Sequence, residues 1–359
     1  MSYQTTSTKF AAVIRQRTFV AVCAVASLVA LVYSSSGVGA HGQPQEAQRS
    51  QRAQAQAEQD EQDDVLRIDT DLVLVDVTVT DAAGNPVRGL RAEDFKVYED
   101  GEERPISFLN VERRGGVERP VAVVFAVDVS GSMTLEEMLR LQSAMRAFSK
   151  AMSERPASFA LMSFGMSAKI HQNFTSDPQK LNRGFEQLTR ELNGLSTHAY
   201  DAIDDAVRLL VRKAPRTRER QLMKRAVVVI TDGFPVGDTV APSTVIERAN
   251  AAEVSIYTVT LPSYSRLLAS ASPERAPLPT PLDVSGLAEK TGGTNVYAAD
   301  KNYEPLFKAL AEEVTSSYVL AYYPPEEKRR DGRYHSIRIE APRGLNVRQN
   351  RTGYQSSDR

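Results

Sequence analysis

The chain has 359 residues, and its 44 Lys and Arg nearly balance 45 Asp and Glu for a formal net charge of −1. That balance leaves no electrostatic footprint for nucleic acid, which needs a basic stripe or domain. The one cysteine, Cys23, lies within the first forty residues, so a chain without them has neither a disulfide nor a thiolate metal site.

Residues 1–40 read as a secretory signal peptide. Lys9, Arg15 and Arg17 supply positive charge, Phe19–Tyr33 is apolar, and Val38-Gly39-Ala40 offers small residues for cleavage. The apolar run is shorter than the roughly 20 residues a spanning helix needs, so no integral membrane span is expected in the mature chain. The expected location is secreted or periplasmic. Residues 41–65 are rich in Gln, Ala and Glu and nearly free of large apolar side chains. Such a stretch buries too little surface to offset chain entropy, and it reads as a disordered linker.

Residues 66–116 read as a β module. Leu72–Thr80 is dominated by β-branched residues. Phe95–Glu99 and Ile106–Val111 are further strand candidates, expected to join through the hairpin pair Asp100-Gly101. From residue 117 to 317 the texture changes to alternation. Apolar strands are expected at Val121–Val127, Phe159–Phe164, Ala226–Thr231 and Ser255–Leu261. Helices are expected near Leu135–Met152, Gln179–Leu188, Tyr200–Val211, Ser243–Ala252, Val284–Thr291 and Tyr303–Ser317. In the first helix Leu135, Met138, Leu139, Leu141, Met145 and Phe148 share one broad face. Ala168–Phe174 follows its neighbour closely, as an antiparallel edge strand does. The alternation implies an α/β fold, a doubly wound and mostly parallel sheet. Residues 318–359 return to strands and a tail. One arrangement open to these flanks is a single sandwich into which the α/β domain is inserted.

Chemistry concentrates at Asp128-Val129-Ser130-Gly131-Ser132, directly after the first apolar strand of the α/β region. One carboxylate and two hydroxyls on a short turn are hard oxygen donors, suited to Mg²⁺ or Mn²⁺. Open α/β sheets bind ligands just beyond the carboxyl ends of their strands. Two more stretches fall where partners for this turn belong. Thr197 lies in a loop running into a helix, and Asp232 ends the apolar run 227–231. His198 lies close to Thr197 and reads as a loop-packing residue, with ligand contact as the alternative; Asp201 belongs with Asp204 and Asp205 to an acidic cluster at helical spacing. Neither a Gly-x-Ser-x-Gly elbow nor a Walker A loop is present.

These motifs resemble the von Willebrand factor type A domain with an intact metal-ion-dependent adhesion site. Asp128, Ser130 and Ser132 match its first motif, Thr197 its second and Asp232 its third. The flanking stretches 75–103 and 318–354 further resemble a secreted acidobacterial subgroup with a β module before the domain and a β tail after it. The resemblance implies a Rossmann-like domain whose Mg²⁺ (or Mn²⁺) is held by hydroxyls, with the carboxylates acting partly through water. A cation with few direct anionic ligands takes an Asp or Glu of a protein partner. The expected function is therefore a metal-dependent, adhesion-type protein-binding module, not an enzyme. Other readings are a docking or assembly subunit of an envelope complex and, last, a metal-dependent hydrolase, for which no hydrolytic set is recognisable.

Overall fold

The computed structural model describes residues 72–356 apart from 111–112, 115–116, 132, 189–195, 219–220, 233, 262–278 and 299–301. The expected signal peptide (1–40) and linker (41–65) lie outside the described residues.

The α/β region contains strands β5 (Val121–Asp128), β6 (Ala157–Phe164), β7 (Lys169–Thr175), β8 (Lys224–Thr231), β9 (Val254–Thr260) and β10 (Asn295–Tyr297). Their order in the sheet is β10-β9-β8-β5-β6-β7. All neighbours are parallel except β7, which runs antiparallel to β6 at the edge, as expected. Every residue of β5 and β8 is buried, the pattern of central parallel strands covered on both faces. One cover is α1 (Leu135–Ala151), α2 (Pro178–Leu188) and α5 (Glu304–Thr315), packed on Phe125, Phe159 and Tyr257. The other is α3 (Ala199–Lys213) and α4 (Pro242–Ala251), packed on Val124, Val227 and Ile256.

Two expectations about these helices need correction. Met138, Leu141, Met145 and Phe148 of α1 are buried, whereas Leu135 and Leu139 on the same apolar arc stand exposed. The arc is wider than the sheet beneath it covers. The expected helix Val284–Thr291 is instead one turn at Pro281–Val284 and a 3-10 turn at Glu289–Thr291. Gly286 between them holds φ +69°, which ends the first turn.

The flanking strands are β1 (Val73–Thr80), β2 (Lys96–Glu99), β3 (Glu102–Arg104), β4 (Phe108–Asn110), β11 (Ser317–Tyr322), β12 (Tyr334–Glu340), β13 (Asn346–Gln349) and β14 (Gly353–Gln355). They form two four-stranded sheets, β13-β1-β11-β4 and β14-β12-β2-β3. Each sheet mixes strands from before and after the α/β region. Val75, Val77, Tyr318 and Leu320 of one sheet and Val97, Ile337 and Ile339 of the other share one core. The two flanks thus interleave into a single sandwich, and residues 66–116 do not form a module alone. Asp100-Gly101 does close a hairpin, both residues at positive φ, but it joins β2 to β3 rather than to Ile106–Val111. The later stretch crosses to the other sheet as β4, beside β11.

The sandwich meets the parallel sheet at the starts of its strands. There the carboxylate of Asp76 (β1) accepts from Arg119 Nη1 at 3.0 Å and from Lys224 Nζ at 3.1 Å. Arg119 also donates to the Leu222 carbonyl (2.9 Å) and the Ser317 hydroxyl (3.1 Å), and Lys224 to Ser255 Oγ (2.9 Å). All three charged groups are nearly sealed from water. Burial opposes ionisation of Asp76, but the charges and hydrogen bonds of Arg119 and Lys224 outweigh it and hold its carboxyl down at about 2.

Two outcomes follow from this seam. Asp76 ionises near 3.8 when unfolded and near 2 when folded, so its contribution is complete above pH 4 and lost as pH falls toward 2. Thermal midpoints measured from pH 5 to pH 2 are expected to fall most steeply below pH 4. Asp76→Asn, which leaves two buried cations underpaired, is expected to cost about 3 kcal/mol at pH 7 and to flatten that fall. Separately, residues 66–115 expressed alone are expected to show no cooperative unfolding transition, because β1 then lacks both of its sheet neighbours, β11 and β13.

Candidate metal centre

The site begins with strand register. In the parallel pair β5–β8, Val127 lies opposite Ile230, so Asp128 and Thr231 end their strands side by side. The Thr231 hydroxyl donates to Asp128 Oδ2 at 2.6 Å. The other carboxylate oxygen, Oδ1, accepts the backbone N–H of Ser130 at 2.8 Å. Met133 N–H then donates to the Ser130 carbonyl (3.1 Å), which closes a turn from Ser130 to Met133. The turn feeds helix α1 through Thr134 and Glu137. Thr134 Oγ1 accepts Glu137 N–H at 3.2 Å, and the Glu137 carboxylate accepts Thr134 N–H at 2.9 Å. This reciprocal cap fixes where the helix starts, and its N-terminal dipole faces the site.

The second and third stretches are stitched to the first. His198 N–H donates to the carbonyl of Gly165, just beyond β6, at 2.9 Å, and Val129 N–H donates to the neighbouring Phe164 carbonyl at 2.9 Å. Val236 N–H donates to the Thr197 carbonyl at 2.8 Å, and Ser196 Oγ donates to the Val236 carbonyl at 2.8 Å. The loop carrying Thr197 therefore lies between the end of β6 and the loop that follows Asp232. Asp201 clamps the same loop from the first turn of α3: its carboxylate accepts the N–H groups of Thr239 (3.0 Å) and Val240 (2.8 Å). His198 Nδ1 sits 3.4 Å from Asp201 Oδ2, and Gly237, at φ +89°, passes close over the imidazole, where a Cβ would come within 2.8 Å of Nε2. Both residues work in the loop, as expected of His198.

Of the five expected ligands, the structure brings Asp128 and Ser130 together directly and sets Asp232 close enough for its charge to act on Asp128. Thr197 lies in the loop hydrogen-bonded to the one after Asp232, and Ser132 lies outside the described residues. Asp128, Ser130, Thr197 and Asp232 are all buried. Burial, reinforced by Asp232, pushes the Asp128 carboxyl up to about 6, against the opposing hydrogen bonds from Thr231 and Ser130. Among the described residues no Lys or Arg pairs with Asp128 or Asp232, and no group of three or more His, Cys, Asp or Glu side chains forms a metal cluster. Two carboxylates with hydroxyls around them, sealed from water and without a basic counter-ion, fit a hard divalent cation.

Residues 122–274 match the sequence profile of the von Willebrand factor type A domain. The α/β region is a type A domain. Over 144 residues the chain is 28% identical to integrin alpha-X of Mus musculus, a match covering 38% of this chain and 12% of that protein, so the chain spans only a small part of this relative's length. Among solved structures it is similar to the conserved hypothetical protein BatB of Bacteroides thetaiotaomicron (19% identity, 54% of this chain and 97% of that one, TM-score 0.40). It is likewise similar to an aerotolerance-related membrane protein of Bacteroides fragilis (18% identity, 54% and 98%, TM-score 0.41).

Two residues of this type A site were passed over in the sequence. Thr231 locks one oxygen of Asp128, and only the pairing of β5 with β8 reveals it. Glu137 closes the cap of α1, and the pattern Thr134-x-x-Glu137 carried that signal. Because Asp128 is a buried carboxylate without a basic partner, Asp128→Asn is expected to stabilise the metal-free protein at pH 7.5. The folded group ionises about two pH units later than the unfolded one, which corresponds to roughly 2–3 kcal/mol at pH values above 6. Scanning calorimetry in EDTA is expected to show a midpoint raised by several degrees, while Mn²⁺ no longer raises it further.

Proposed function

We propose that this protein captures an acidic side chain of a partner protein through a divalent cation, Mg²⁺ or Mn²⁺. Asp128, Ser130, Ser132, Thr197 and Asp232 would hold the ion. The hydroxyls supply neutral oxygens, and the carboxylates supply charge, partly through water. An ion held this way retains enough electrophilicity to accept one more oxygen, from an Asp or Glu of the partner. The observation that carries the reading is the environment of Asp128: fully buried, fixed at both oxygens, with Asp232 nearby and, among the described residues, no basic group paired to either.

Exposed apolar residues support a protein partner. Met166 follows β6, Val236 follows β8, and Leu135 and Leu139 open α1, all at the edge of the sheet where the site lies, and all are exposed. Single exposed apolar residues need no explanation, but apolar side chains near the strand ends that would hold the cation suit the core of a protein interface. The rest of the proposal follows from the chain: a secreted or periplasmic binding protein, not an enzyme, with a type A domain inserted into a β-sandwich. Among the described residues no helix is long and apolar enough to cross a membrane.

The test has two arms. Calorimetric titration is expected to show one Mg²⁺ or Mn²⁺ site, lost in Asp128→Ala. Pull-down from the native envelope fraction is expected to recover a partner in Mg²⁺ but not in EDTA, nor with Asp128→Ala, and the recovered partner is expected to lose binding when its acidic residues are amidated. Retention of the partner in EDTA would overturn the proposal.

A further inference from the structure

The inward row of β12 carries one titratable side chain. His335, Ile337 and Ile339 are buried, while Tyr334, Ser336 and Arg338 between them are exposed. A buried imidazole needs partners for both ring nitrogens. His335 has a carboxylate at each: Asp100 Oδ2 lies 2.8 Å from Nδ1, and Asp331 Oδ1 lies 3.1 Å from Nε2. An ionised carboxylate only accepts, and a neutral imidazole has a single N–H, so only the imidazolium satisfies both bonds.

The two carboxylates belong to different pieces of chain. Asp100 sits in the β2–β3 hairpin, and it also accepts Lys328 Nζ at 2.9 Å, from the 3-10 turn Glu326–Lys328, and Ser336 N–H at 2.9 Å. Asp331 lies in the loop before β12 and accepts the hydroxyl of Ser356, just past β14, at 2.6 Å and Arg333 N–H at 2.9 Å. β14 has three residues and stands at the edge of its sheet, paired with β12. Its Tyr354 lies against the imidazole, ring centroids 5.3 Å apart, and donates to Glu99 Oε1 at 2.8 Å. Glu99 also accepts from Tyr322 (3.2 Å) and Arg104 (3.0 Å), so its satisfaction does not rest on β14. The groups around His335 are thus Asp100 and Glu99 on the hairpin side with Arg104 behind them, Lys328 on the turn, Asp331 on the loop and Tyr354 on the edge strand.

We infer that His335 is a pH-sensitive latch on the edge strand β14. Protonated, the ring draws in Asp331, and Asp331 holds Ser356. Without the proton, one ring nitrogen turns a lone pair toward a carboxylate in a place closed to water. Asp100 is tied by Lys328 and by Ser336, so Asp331 is the one that yields, and Ser356 and β14 go with it. β12 is then left with an open edge over Tyr334–Ser336. Burial of His335 favours the neutral ring, but the hydrogen bonds and charges of Asp100 and Asp331 outweigh it and raise its ionisation above the ordinary 6.5. A group raised on folding contributes its full stabilisation below pH 6.5 and loses it as pH rises through the folded value. The latch therefore closes toward acid and opens toward alkali.

The experiment is hydrogen exchange read by mass spectrometry on the full chain in EDTA, from pH 5.5 to 9.0, with protection corrected for the intrinsic exchange rate. Protection over residues 353–356 is expected to fall at least tenfold across that range, while protection within β1 holds steady. The midpoint of the fall is expected to coincide with the titration of the His335 ring followed by NMR. In His335→Gln the segment is expected to be weakly protected at every pH. Asp331→Asn keeps the ring but removes the carboxylate that reads it. In that variant the pH dependence over 353–356 is expected to vanish, while His335 still titrates, closer to 6.5. Protection over 353–356 that is independent of pH in the parent, or that keeps the parent's pH dependence in either variant, would overturn the inference.

Discussion

The edge that carries Asp128 depends on two adjacent parallel strands ending in step. The register of β5 against β8 brings the carboxylate of Asp128 to the hydroxyl of Thr231 and sets Asp232 one residue further on. A slip of one residue would reverse the faces of eight buried side chains in β8, so the core on both sides of the sheet enforces the register. Packing energy distributed over the sheet is thereby converted into the placement of a few oxygens. The cost is local: a carboxylate held in a dry place, its ionisation pushed toward neutrality.

The sandwich obeys a different logic. β1 is buried along its whole length because it has two clients. Val73, Val75, Val77 and Val79 face the sandwich core, while Leu74 joins Leu222, Val319 and Ala321 on the opposite face. Asp76 lies on that second face and collects Arg119 and Lys224 from the type A domain. A buried charge group of this kind contributes little net stability over apolar packing, yet losing one member is costly. Its role is one of orientation, since apolar contact alone would tolerate sliding between the two parts.

Much of this was legible in one sequence. The alternation of β-branched strands with amphipathic helices specified the α/β architecture, and the antiparallel edge strand β7 emerged from the short spacing after β6. The oxygen-bearing motifs were visible because they terminate apolar runs, so that chemistry and element boundary coincide. Other features depend on distance in the chain. That β11 inserts between β1 and β4 requires pairing residues more than two hundred positions apart, and no local pattern encodes which of several similar strands are neighbours. Leu135 and Leu139 obeyed the helical period yet remain exposed, because period reports which side chains share a face and not how far the opposing sheet extends. Thr231 looked like one more strand residue until its neighbour in β5 was known.

The seam with Asp76 sits where the parallel strands begin, and the oxygen-lined edge sits where they finish. The type A domain therefore has opposite poles, separated by the length of β5, eight residues or roughly 26 Å. The sandwich joins the domain at the rear pole, at the far end of β5 from the oxygen-lined one. Under the proposed function, a partner taken at the oxygen-lined pole is met at the end of the domain opposite the sandwich.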